Sequence, residues 1–232
     1  MKKLIRYELQ KVSIKYHFIG VLIANIFILM LTIVTSLIIK VTSKSFGMLI
    51  PAPEFSLTSI DLAVMLVRAV LIIWEAVLLA QLVVDEYRTK TITLLYTFPY
   101  NPGKIIVAKF FAIYMIMLLF YGISYIFQNL FIKAISIIND NVSYSFNFGI
   151  NQILIIISCI GLGFMPVYFG MIKMSTIATI VTALIVVGIT SSSQGNVPGI
   201  LSIPVVAIVL GVIGILTAVI TINKVCKNDL LL

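Results

Sequence analysis

Six apolar runs organise the chain, at about 18–39, 62–84, 105–132, 150–170, 175–191 and 200–222. Roughly 20 apolar residues cross a hydrocarbon core, so each run predicts a membrane-spanning helix. The fifth is short, and the third is long enough to tilt or to extend past the membrane. Ahead of the first run, Ile5, Leu9, Val12 and Tyr16 recur at helical spacing with lysines between them. That pattern predicts a basic amphipathic helix over 1–17 lying in the membrane interface; a plain basic flank that only sets topology is the simpler alternative. The first run is too long for a signal-peptide core and no small-residue cleavage site follows it, so it is expected to stay as a span. Residues 40–61 and 133–149 are loops too short for a folded domain, and 191–199 is a turn-rich break. No internal repeat is visible. The predicted fold is an all-α membrane protein, a single transmembrane domain over 1–232.

Composition agrees with this class. The 232 residues are 61% hydrophobic and 10% charged, with mean hydropathy +1.19, beyond what a soluble domain of this size buries. The net charge of +8 is not gathered on one face, so the footprint that nucleic acid requires is missing. Its distribution sets orientation instead. Lys2, Lys3, Arg6, Lys11 and Lys15 precede the first run, and Arg88, Lys90, Lys104 and Lys109 fall between the second and third. Lys173, Lys224 and Lys227 lie on the same side, against Lys40, Lys44 and Lys133 opposite. The positive-inside bias predicts that both termini face the cytoplasm.

Candidate chemistry is sparse. His17 has no His, Cys or carboxylate at ligand spacing and reads as an interface residue. Cys159 and Cys226 lie in separate regions without metal spacing, so neither a disulfide nor a metal is expected. No H-E-x-x-H or G-x-S-x-G occurs, and Gly103-Lys104 lacks the glycine loop of a P-loop. The expectation is a chain without catalytic residues, metal or cofactor of its own, in which any ATP is bound by another polypeptide. Arg68 and Glu75 are the unusual charges, both within the second run. Seven residues is about two helical turns, roughly 10 Å along the axis. A charge at membrane depth costs about 2.5–3.5 kcal/mol, so each needs a protein or water partner. Two readings stay open: a polar lining for a substrate path, or a structural pair that locks this span to a neighbour or a second copy. Arg68, nearer the outer surface, is placed to snorkel; Glu75 is deeper and is expected at a subunit interface or cavity. Small residues in the fourth and sixth runs (Gly161, Gly163, Ala207, Gly211, Gly214) permit close helix approach. Ala207-x-x-x-Gly211 is better read as packing within the chain than as a dimer contact. Pro166 predicts a kink in the fourth run.

The polar interruption 85–109, DEYRTKTITLLYTFPYNPGKIIVAK, is more ordered than a connector requires. Asp85 and Glu86 come first, then Arg88 and Lys90, then a helical turn with Thr91, Leu94 and Leu95. A turn around Pro99 and Pro102 follows, and Lys104 and Lys109 lead into the third run. Such an element offers a face to a cytosolic partner.

This loop resembles the first cytoplasmic loop of ABC-2 type permeases, the membrane subunits of ATP-driven exporters. Glu86, Thr91, Leu94, Leu95, Pro99 and Lys109 match the family's pattern, while Lys90 stands where that family usually has Gly. The short form without large loops is similar to permeases of peptide-antibiotic resistance and peptide-toxin export. The resemblance implies an exporter-like fold and a homodimer of permeases. It implies two copies of a separate ABC ATPase carrying ATP and Mg. It also implies ATPase coupling through 85–104, with Asp85, Glu86, Arg88, Thr91, Leu94, Leu95, Pro99 and Lys104 as the coupling residues. The expected substrate is a hydrophobic or amphipathic peptide, antimicrobial peptides and toxins among them. The alternatives are a substrate-binding six-span subunit of an uptake transporter, for which no Ala-rich contact face is present, and a stand-alone membrane protein without an ATPase.

Overall fold

A computed structural model describes residues 13–46, 58–89, 102–138, 142, 144, 149–192 and 199–228. All regular structure among them is helical. The predicted interfacial helix over 1–17 falls largely outside these residues, as do 90–101 and the centre of the 191–199 break. The helices are α1 (Ile14–Phe46), α2 (Ser59–Arg88), α3 (Pro102–Ile138), α4 (Ile150–Gly163), α5 (Met165–Lys173), α6 (Thr176–Thr190) and α7 (Pro204–Asn228).

Among the described residues, five helical segments are long and apolar enough to cross a membrane: α1, α2, α3, the α4–α5 pair and α7. The protein is therefore membrane-embedded. The fifth apolar run forms α6, an apolar helix of 15 residues. At 1.5 Å per residue it is about 22 Å long, against roughly 30 Å of hydrocarbon. Among the described residues, five helices of spanning length and one shorter apolar helix thus stand where six spans were expected.

Helix α2 is the centre of the bundle and packs against α1, α3, α4 and α6. It starts on a capping box: Thr58 accepts from the Asp61 amide while the Asp61 carboxylate accepts from the Thr58 amide. This satisfies two donors that a helix start leaves open. Near its far end, Ala80–Val84 form a π turn, and the helix then continues through Asp85–Arg88 instead of ending at 84. A π turn adds a residue and shifts the faces that follow it.

Lipid is as apolar as leucine, so close packing and hydrogen bonds hold such helices together. Helix α1 shows the resulting inversion. Ile23, Phe27, Met30 and Val34 face outward, while Asn25, Thr32 and Ser36 are buried. Asn25 donates to Ser124 Oγ on α3 at 2.8 Å, Gln128 donates to the Asn25 carbonyl at 2.9 Å, and Ser36 meets Ser59 at 2.9 Å. Helix α7 packs most extensively on α4. A Cβ on Gly214 would stand 2.1 Å from the Gly161 carbonyl oxygen, and one on Gly211 would stand 2.8 Å from Ser158 Cα. The glycines bring the two backbones into contact, and with Ala207 fully buried this face is spent inside the chain.

The break between α4 and α5 falls at Phe164, two residues before Pro166. Proline cannot donate the next helical bond, and the Val167 amide turns to the Phe164 carbonyl. Helix α5 closes on Met174 with φ +46°, a left-handed conformation that costs any residue with a Cβ.

Candidate functional site

Two polar clusters carry the chemistry. The first is the base of the 85–109 segment. Lys109, on the first turns of α3, places its Nζ 2.8 Å from Glu86 Oε2 and 3.2 Å from the Leu82 carbonyl within the π turn. The lysine side chain is 2% exposed and the glutamate 9%. One buried ion pair therefore ties the end of α2 to the start of α3. Asp85 and Arg88 form a separate 3.0 Å pair that is about half exposed, and Lys104 is exposed.

The eight residues expected to face a partner thus divide. Asp85, Arg88 and Lys104 are on the surface. Glu86 is turned inward, because the shift introduced by the π turn lets it meet Lys109. Thr91, Leu94, Leu95 and Pro99 lie outside the described residues. Sequence reasoning placed Lys109 at the entry to the third run and missed its pairing. The signal was an acid just past the end of the second apolar run and a base a few residues inside the third, flanking one short loop.

The second cluster surrounds α2 from Arg68 to Glu75. Arg68 does not snorkel. It is 6% exposed, donating through Nη1 to Ser202 Oγ at 3.1 Å and through Nη2 to Gln152 Oε1 at 3.2 Å. These residues sit on the short 3₁₀ turn Ile200–Ser202 ahead of α7 and on α4. The guanidinium is thus drawn sideways into the bundle, because a polar ring is available there. Glu75 is fully buried, and neither carboxylate oxygen has a hydrogen-bond partner. It lies against Gly163, where a Cβ would stand 2.1 Å from Oε2. The missing side chain at 163 is what makes room for the carboxyl group, directly beside the α4–α5 break.

Glu75 was expected at a subunit interface or a cavity; among the described residues it sits instead in a tight niche within the chain, against Gly163. Arg68 and Glu75 share a face of α2 and make no direct ion pair. Tyr121 borders the same space as Arg68, and its hydroxyl is buried without a partner. The participation of Tyr121, Gln128, Gln152 and Ser202 was not read from the sequence. Each lies in or beside an apolar run, Gln128 next to Asn129 and Gln152 next to Asn151, and polar residues inside such runs were the available signal. Among the described residues no cluster of three His, Cys, Asp or Glu side chains is arranged for a metal. Cys159 is buried and unbridged.

The chain is similar to the uncharacterized protein YcbO of Bacillus subtilis (strain 168), with 27% identity over 241 residues that cover 97% of this chain and 99% of that protein. No family model matches the chain, and no solved structure matches it.

Proposed function

We propose that this chain is the membrane-spanning permease subunit of an ATP-driven exporter for hydrophobic or amphipathic peptides. It works as a homodimer in the bacterial plasma membrane, with both termini cytoplasmic, and each copy engages a cytosolic ABC ATPase through the 85–104 segment. The observation that carries the reading is the buried Glu86–Lys109 pair. A coupling element must pass force to the spans without being absorbed at its own base. Here the two helices that bracket the element are clamped to each other by a desolvated ion pair and by the Lys109 bond to Leu82. A push on 90–101 then moves the end of α2 and the start of α3 as one body. The central position of α2 carries that displacement to α1, α4 and α6. The chain has no P-loop of its own, so the energy enters through a partner, which binds ATP and Mg.

The test is a paired purification in gentle detergent of tagged wild type and Leu94→Asp/Leu95→Asp, with mass spectrometry of what accompanies each. A P-loop ATPase held by the wild type and lost from the double variant, which still reaches the membrane, is the expected result. An ATPase retained by the variant removes the coupling role from this loop. If neither sample carries an ATPase, the permease reading fails and a stand-alone membrane protein takes its place.

A further inference from the structure

Glu75 is fully buried on α2. Neither carboxyl oxygen has a hydrogen-bond partner or surface open to water. Among the described residues no cation stands within ion-pair distance of it. The buried cations are engaged elsewhere: Arg68 donates to Gln152 and Ser202, and Lys109 to Glu86. On the other helices packed around α2, His17 of α1 stands edge-on to Trp74, with ring centroids 6.1 Å apart. Tyr121 of α3 is buried with its hydroxyl unpartnered, and Lys173 of α5 is exposed. Helix α4 carries only Cys159 as an ionisable group, and α6 carries none.

A carboxylate in this niche would lack counter-charge, hydrogen bonds and water together. That costs far more than a neutral acid whose O–H and C=O are left unpaired. The wall facing the carboxyl is Gly163, the last residue of α4, and the helix breaks directly behind it. Two backbone bonds cross the break. The Phe164 amide donates to the Gly161 carbonyl at 3.3 Å, and the Val167 amide to the Phe164 carbonyl at 3.2 Å. Both lie at or beyond the long end of the usual range, and Pro166 has no amide to add. The wall of the niche is therefore tied across the break more weakly than a continuous helix would be.

We propose that Glu75 is a binding site for one proton inside the membrane, and that the α4–α5 break is the gate through which this proton exchanges. With Gly163 seated on α2, the side chain is a neutral carboxylic acid and is sealed. For the proton to leave, the break must draw away from α2 and admit water to the carboxylate. Proton occupancy is thereby coupled to the contact between α2 and α4. The assignment is independent of the export reading.

The experiment is infrared spectroscopy of the full chain in a neutral detergent near neutral pH, as wild type, Glu75→Gln and Pro166→Ala. The wild type minus Glu75→Gln difference isolates the one side chain. It should show the carbonyl stretch of a protonated carboxyl without hydrogen bonds, at higher frequency than that of a solvated acid. After transfer to deuterated buffer, this band should keep its position while exposed amides exchange, and then shift slowly as Glu75 takes up deuterium. Pro166→Ala restores an amide at the break and should slow that shift about tenfold. A carboxylate band pair at Glu75 in place of the acid band overturns the proton site. A shift complete as soon as the buffer is changed overturns the seal, and a rate untouched by Pro166→Ala overturns the gate. Should Glu75→Gln fail to fold, Glu75→Ala serves as the reference for the same difference.

Discussion

Replacing Lys109 with methionine keeps the length of the side chain and removes its charge. At 2.8 Å and an effective dielectric of 20, the attraction between Lys109 and Glu86 is about 6 kcal/mol. Desolvation of both ions offsets much of that, so the intact pair contributes little net stability. Truncating one side is different. Lys109→Met leaves the Glu86 carboxylate, 9% exposed, without its ion pair, and the Leu82 carbonyl loses the ammonium donor. The expected loss is about 3–5 kcal/mol. The double variant Glu86→Leu/Lys109→Met removes both charges and should recover most of the loss, ending within about 1–2 kcal/mol of the wild type. The assay is a double-mutant cycle of unfolding by added sodium dodecyl sulfate in mixed micelles, followed by helical circular dichroism. Additive single losses, or a Lys109→Met variant within about 0.5 kcal/mol of the wild type, would mean that water screens the pair. The clamp proposed at the base of the loop would then have no mechanical strength.

Three further outcomes follow from local geometry. Gly163→Ala drives a methyl group into the Glu75 carboxyl and should cost about 2–3 kcal/mol in the same unfolding assay, with Glu75→Ala relieving most of it in the double variant. Met174→Gly removes the left-handed strain at the α5–α6 turn and should stabilise the protein by about 0.5–1 kcal/mol; a loss instead would show that the Met174 side chain holds the turn. Thr58→Ala dismantles the capping box of α2 and should lower stability by about 1 kcal/mol, read as a drop in unfolding temperature.

Much of the architecture was legible because length and apolarity alone decide whether a helix can cross a membrane. The runs at 18–39, 62–84 and 105–132 reappear inside α1, α2 and α3, and Pro166 sits beside a helix break. The ends were less legible, because helices continue past the apolar run wherever polar residues find partners. Helix α2 runs on to Arg88 for this reason, since the buried Lys109 meets Glu86 on its last turn. That pairing depends on the rotation of α2 against α3, which the π turn at Ala80–Val84 alters. No pattern in the local sequence announces such a turn. The polar ring around Arg68 was hidden for a related reason. Gln152 and Ser202 lie 84 and 134 residues away in the chain and meet Arg68 only after α4 and the turn before α7 have packed on α2. The periodicity of α1 was also a weak guide, because a span buries its few polar residues and turns its apolar ones to lipid.

The central claim is that this chain is half of an ATP-driven machine. Native mass spectrometry of the tagged protein, released from its own membrane in a mild detergent, tests it most directly. The account predicts one dominant assembly, two copies of this chain with two copies of a P-loop ATPase. The chain appearing alone, or only with copies of itself, across several detergents that keep it folded would contradict it.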